Sequence, residues 1–116
     1  LFLLYPAFNI ADQVREYESA GSVSGLLPVG EAFLSTLKNY DPFAEIGNFT
    51  GNVLICHGTK DSTVPIAYSR KAAGVYGSCT LVEIAGAPHG FNAANFSLLH
   101  DYDAEVWKAI DAFLAE

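Results

Sequence analysis

Val53-Leu54-Ile55-Cys56 contains no polar residue, and Leu81 to Ile84 is a second short strand-like segment rich in β-branched and aliphatic side chains. Apolar runs that are continuous rather than alternating belong to strands covered on both faces, as in parallel sheets wrapped by helices. Leu81 to Ile84 is interrupted by Glu83, whereas Leu1-Phe2-Leu3-Leu4-Tyr5 is such a continuous run. A strand so apolar normally has neighbours on both edges, yet nothing precedes Leu1 and the chain holds no methionine. The expectation is a carboxyl-terminal part of a longer protein.

Segments of helical character separate the runs. Glu31 to Tyr40 carries Phe33, Leu34, Leu37 and Tyr40 at helical spacing, and Asp41-Pro42 stops it, with Asp41 placed to cap a short turn through Glu45. Pro65 suits a first helical turn, Ile66, Ala72, Ala73 and Tyr76 supply an apolar side, and Gly77 ends that helix. Val106, Trp107, Ile110, Phe113 and Leu114 recur at three- and four-residue intervals behind Asp101, Asp103 and Glu105, where a helix dipole favours negative charge. Ala7 to Gly30 mixes glycine, proline and a charged stretch, and reads as an insert with little regular structure. The predicted order is strand, insert with helices, strand, helix, strand, helix, the signature of parallel crossovers in an α/β fold.

With 116 residues, 51% of them hydrophobic, the chain can form one core and reads as one domain or part of one. A net charge of -7 without any Lys/Arg cluster argues against nucleic acid and against an anionic membrane surface. No apolar run approaches the roughly 18–20 residues of a membrane span, and Leu1 to Tyr5 lacks the basic flank of a signal peptide. Cys56 and Cys79 show no metal-binding or redox spacing and read as small core thiols of a reducing compartment. A soluble, cytoplasmic protein is expected.

Two loops carry the chemistry. His57-Gly58-Thr59-Lys60-Asp61-Ser62-Thr63-Val64-Pro65 follows one strand, and Ala87-Pro88-His89-Gly90-Phe91 follows the next. Open α/β sheets bind and react at the carboxyl ends of their strands. One helix and one strand separate Asp61 from His89, so both side chains can emerge on the same sheet edge. A serine hydroxyl becomes a useful nucleophile when a neutral imidazole takes its proton, and a carboxylate fixes that imidazole's tautomer. The pair therefore amounts to two members of a Ser-His-Asp triad.

His57-Gly58-x-x-Asp61-x-x-Val64-Pro65 followed by Gly86-x-x-His89-Gly90-Phe91 resembles the acid and histidine segments of the α/β-hydrolase superfamily, above all bacterial serine esterases of the feruloyl/cinnamoyl type. Leu3-Leu4-Tyr5-Pro6-Ala7 is similar to the sixth strand and its exit in that group, and the likeness covers nearly the whole chain. It implies a carboxyl-terminal portion of an α/β-hydrolase fold, with about three parallel strands, flanking helices and a small cap insert at residues 7–51. It implies Asp61 as the triad acid and His89 as the base. The nucleophile elbow Gly-x-Ser-x-Gly is missing. Gly21-Ser22-Val23-Ser24-Gly25 has Val23 at its centre and no preceding strand, so the serine and most of the oxyanion hole are expected upstream of Leu1.

Plainer roles compete for the same residues. Asp61 could cap a helix or brace its loop, and His89 could be satisfied by backbone. His57 reads as a loop brace through a backbone hydrogen bond, His100 as exposed, and Ser62 and Thr63 as turn residues. Phe33, Leu34 and Leu37 suit an acyl pocket or simple core packing, and Phe91 suits either the site or the core. The expected function is hydrolysis of carboxylic esters through an acyl-enzyme, with no metal or organic cofactor. The alternative is a noncatalytic α/β binding or scaffold module. Expected partners are a small-molecule ester and the upstream part of the same protein, with a second copy of the chain as another candidate, because a bare apolar edge strand invites pairing.

Overall fold

The most apolar run of the sequence becomes the middle strand. In the computed structural model, which describes residues 1–19, 31–94 and 100–116, all six residues of Val53–Gly58 are buried. Numbered in chain order, the elements are β1 (Phe2–Leu4), α1 (Ile10–Ser19), α2 (Glu31–Lys38), α3 (Pro42–Ile46), β2 (Val53–Gly58), α4 (Ile66–Val75), β3 (Cys79–Ile84) and α5 (Tyr102–Leu114), with a 3₁₀ turn at Phe91–Ala94. The three strands form one parallel sheet in the order β1-β2-β3. Leu4 pairs with Cys56 and Gly58 with Ile84, so all three strands run out toward one edge.

Strand alternation divides the core into two layers. Leu54 and Cys56 face α5, where Ile84, Ala87, Phe91 and Val106 complete a buried cluster flanked by Ile110 and Phe113. Val53 and Ile55 face the other way, onto Ala72 and Tyr76, with Phe43 and Ile46 of α3 alongside. Each fully buried aliphatic side chain of this kind contributes about 1.5–3 kcal/mol relative to exposure. Caps fix two helix starts: Asp41 accepts from the Phe43 N–H at 3.0 Å, and Asp101 from the Ala104 N–H at 3.0 Å.

Three expectations need correction. First, the insert is not without regular structure, because Ile10–Ser19 is helical. Ala11 and Val14 are buried on one face, Asn9 donates to the Thr63 carbonyl at 3.1 Å, and the Tyr68 hydroxyl donates to Asp12 at 2.8 Å. Arg15 reaches both Asp12 and the Lys38 carbonyl. Apart from the Arg15–Asp12 pair within the helix, these partners lie 23 to 56 residues away in sequence, and a scan for local periodicity cannot see them. Second, the stripe of α5 is narrower than its apolar positions suggest, since Trp107 is 64% and Leu114 66% exposed. Third, β1 is not covered on both faces. It has one neighbouring strand among the described residues, and Phe2 and Leu4 stay exposed although Phe2 meets the Phe113 ring edge-on at 5.5 Å. The Gly21–Gly25 run and the side chains of Phe33 and Leu34 lie outside the described residues.

Candidate active site

The site grows from the exits of β2 and β3. Gly58 ends β2 so close to the second loop that a Cβ there would sit 2.1 Å from the Ala87 carbonyl oxygen. Only glycine permits that approach, and it lets the loops be stitched together. Thr59 N–H donates to the Ile84 carbonyl at 3.1 Å, Lys60 N–H to the Ala87 carbonyl at 3.0 Å, and Gly86 N–H to the Thr59 hydroxyl at 2.7 Å. The residues preceding Asp61 and His89 are thus held together before either side chain is considered.

Asp61 turns inward, its carboxylate fully buried. Oδ1 accepts from Thr63 N–H at 2.9 Å and Val64 N–H at 2.8 Å. Oδ2 accepts from His89 Nδ1 at 2.7 Å. Burial pushes the Asp61 carboxyl up, but the Val64 N–H, the hydrogen bond and charge of His89, and the Thr63 N–H outweigh it and hold the group below the usual carboxylate range. An ionised carboxylate can only accept, so the proton of this bond belongs to Nδ1 of His89. In the neutral tautomer this leaves the lone pair on Nε2, and the His89 side chain is 34% exposed.

Backbone geometry around His89 is unusual. Gly86 (φ 78°) and Gly90 (φ 81°) take left-handed conformations open to glycine, whereas Phe91 (φ 53°) and Tyr5 (φ 39°) take them with side chains. For the two non-glycine residues such conformations cost on the order of 1–3 kcal/mol each and persist where packing over-determines them. Here the packing is aromatic. The Tyr5 ring meets His89 edge-on at 4.7 Å and Phe91 at 5.0 Å, and Phe91 is buried in the α5-side core.

His57 braces the acid loop: Nε2 lies 2.8 Å from the Val64 carbonyl oxygen, and Nδ1 lies 2.6 Å from Ser69 Oγ of α4. His100 is exposed and pairs with Glu105. Thr63 serves Asp61 through its backbone, as a turn residue. Tyr5 and Ser69 were not anticipated from the sequence. The signals were present: Tyr5 leaves β1 at the edge where His57 and His89 stand, and Ser69 shares a helical face with Ala72 and Tyr76. Cys56 is sealed in the core, where burial pushes its thiol up to about 11.

Comparison with solved structures bears on the whole arrangement. The chain superposes on Est1E from Butyrivibrio proteoclasticus with a TM-score of 0.72 at 22% identity, over 99% of this chain and 50% of that one. The fold is that of a carboxyl-terminal portion of an α/β-hydrolase. Est1E has also been solved with ferulic acid bound, and that structure matches equally well. The same hydrolase architecture recurs in a bromoperoxidase from Bacillus anthracis (TM-score 0.54, 22% identity, 91% of this chain and 44% of that one). It recurs again in the esterase RhEst1 from Rhodococcus sp. ECU1013 (TM-score 0.52, 19% identity, 92% and 40%). The chain spans at most about half the length of these hydrolase structures. No protein-family model matches the sequence, and neither does any curated protein. No helix among the described residues is long and apolar enough to cross a membrane.

Proposed function

We propose that these residues supply the acid and the base of a serine hydrolase acting on carboxylic esters. The observation that carries this is the 2.7 Å hydrogen bond from His89 Nδ1 to the buried Asp61 carboxylate, which occupies Nδ1 and leaves Nε2 as the ring nitrogen not engaged by the acid, on a side chain that is 34% exposed. A seryl hydroxyl outside these 116 residues gives its proton to Nε2 as its oxygen attacks the ester carbonyl. The tetrahedral intermediate collapses, Nε2–H protonates the departing alcohol, and an acyl-enzyme remains. Water then gives a proton to Nε2 while attacking the acyl carbon, and the proton returns to the serine as the acid product leaves. Asp61 stays ionised throughout, holding the tautomer and stabilising the imidazolium.

A shared fold alone does not assign chemistry, since one architecture hosts many activities. The acid–base geometry and the esterase neighbours together favour ester hydrolysis. The unpaired thiols of Cys56 and Cys79 suit a reducing, cytoplasmic setting. The edge of β1, with Leu1, Phe2 and Leu4 exposed, is where upstream residues of the same polypeptide would pair.

The test uses the complete polypeptide with p-nitrophenyl acetate and ethyl ferulate as substrates and a fluorophosphonate as a probe of the serine. Turnover and labelling that both collapse in His89→Ala support the hydrolase. A folded parent that neither turns over ester nor takes the probe would instead indicate a noncatalytic module.

A further inference from the structure

His57 is fully buried yet polar, and its neighbours explain why. Nε2 faces two oxygens: the Val64 carbonyl at 2.8 Å, and Oδ2 of Asp61 at 3.1 Å. A carbonyl and an ionised carboxylate both lack a proton to give, so Nε2 carries the hydrogen and directs it to Val64. The Ser69 hydroxyl, 2.6 Å from Nδ1, can then donate to the remaining lone pair. Val64 is the pivot. Its carbonyl is held by His57, while its N–H donates to Asp61 Oδ1.

We infer that His57 is a positioning residue for the Asp61–His89 pair: through the Val64 peptide and its own N–H beside Oδ2, it orients the carboxylate and limits how strongly that carboxylate draws a proton onto His89. The inference deepens the hydrolase reading and rests on Asp61 and His89 as the working pair. His57 forms no hydrogen bond with His89 and acts only through the acid and its loop. Other titratable groups nearby are Tyr5, whose ring abuts His89, and Glu83, opposite His57 on β3 and engaged by Arg70 of α4.

The sign of the effect follows from the geometry. Without His57, the carboxylate loses a nearby N–H dipole and its Val64 donor loses its anchor, so Asp61 becomes more basic. A more basic carboxylate stabilises the His89 imidazolium and raises the His89 pKa.

The experiment is an NMR titration of the His89 ring in the complete polypeptide, which needs no substrate, alongside the pH profile of kcat/KM. His57→Phe should raise the His89 pKa by on the order of half a unit and carry the acid limb of kcat/KM upward with it. Ser69→Ala should shift both the same way by less, and it keeps the test intact if His57→Phe does not fold. His57→Gln, whose amide can place a donor near the Nε2 position, should return both toward the parent values. A folded variant series in which the His89 pKa stays fixed or falls would overturn the inference, because a purely structural brace alters the folded fraction and leaves that pKa alone. A parent without esterase activity whose His89 pKa still responds would remove the hydrolase reading while keeping the coupling. An active parent whose pKa does not respond would do the reverse.

Discussion

Gly58→Ala is the most direct probe of how the two loops are joined. A Cβ at position 58 would lie 2.1 Å from the Ala87 oxygen and 2.7 Å from its carbonyl carbon, whereas ordinary contact begins at 3.4 Å, so the loops must part by about 1.3 Å. Ala87 cannot retreat freely, because it is fully buried in the cluster with Leu54, Ile84 and Phe91. Overpacking of this kind costs about 1–3 kcal/mol, and loss of the Lys60 N–H to Ala87 carbonyl bond adds about 1 kcal/mol. The expected loss is about 2–4 kcal/mol, a fall in Tm of about 4–16 °C for a domain of about 150–250 residues. The same displacement reaches the chemistry. Carried through rigidly, it stretches the 2.7 Å bond between His89 and Asp61 to about 4 Å, past hydrogen-bonding reach. Turnover should then drop on the order of a hundredfold. The assays are a thermal melt by circular dichroism and p-nitrophenyl ester turnover on the complete polypeptide. A variant melting within about 2 °C of the parent and retaining turnover within about threefold would refute the close-approach reasoning.

Asp61→Asn should preserve the two backbone hydrogen bonds through its amide oxygen, but it turns an NH₂ toward the Nδ1–H of His89, and turnover is expected to fall by about 10⁴-fold. Because the folded state holds the Asp61 carboxyl below its ordinary 3.8, the stabilisation is fully present above that pH and is lost as pH falls through the folded value. Urea unfolding should therefore separate parent and variant most at pH 7 and bring them together toward pH 3; a gap that widens on acidification would contradict the assignment. With its thiol pushed up to about 11 and fully buried, Cys56 should resist DTNB at pH 8 in the folded protein and react only after denaturation, so rapid native-state labelling at that position would show the α5-side core to be open.

Element by element, legibility followed the range of the forces involved. The start of α3 was readable to the residue because it depends on Asp41 and Pro42, which act on the next turn. β2 was readable as a buried strand since its side chains report burial directly, whereas β3, expected to be buried too, buries only Ile84 and leaves Thr80 and Glu83 exposed because it has β2 alone as a neighbouring strand among the described residues. α1 was not, because its stability comes from Asn9 to Thr63 and Tyr68 to Asp12, contacts made only once the chain has folded back. The exposure of Trp107 was equally hidden: it adjoins Val106 in sequence, but the inner face of α5 takes Val106, Ile110 and Phe113 and turns Trp107 outward.

At the site, the residue types and their loops alone determined that an acid and an imidazole stand at neighbouring strand ends, since chain order and strand polarity follow from the pattern of apolar runs. Only the tertiary structure decided that they touch at 2.7 Å, that Nδ1 rather than Nε2 is engaged, and that Tyr5, His57 and Ser69 hold them. The physical reason is that a hydrogen bond requires placement within tenths of an ångström, and such placement arises where several elements pack together.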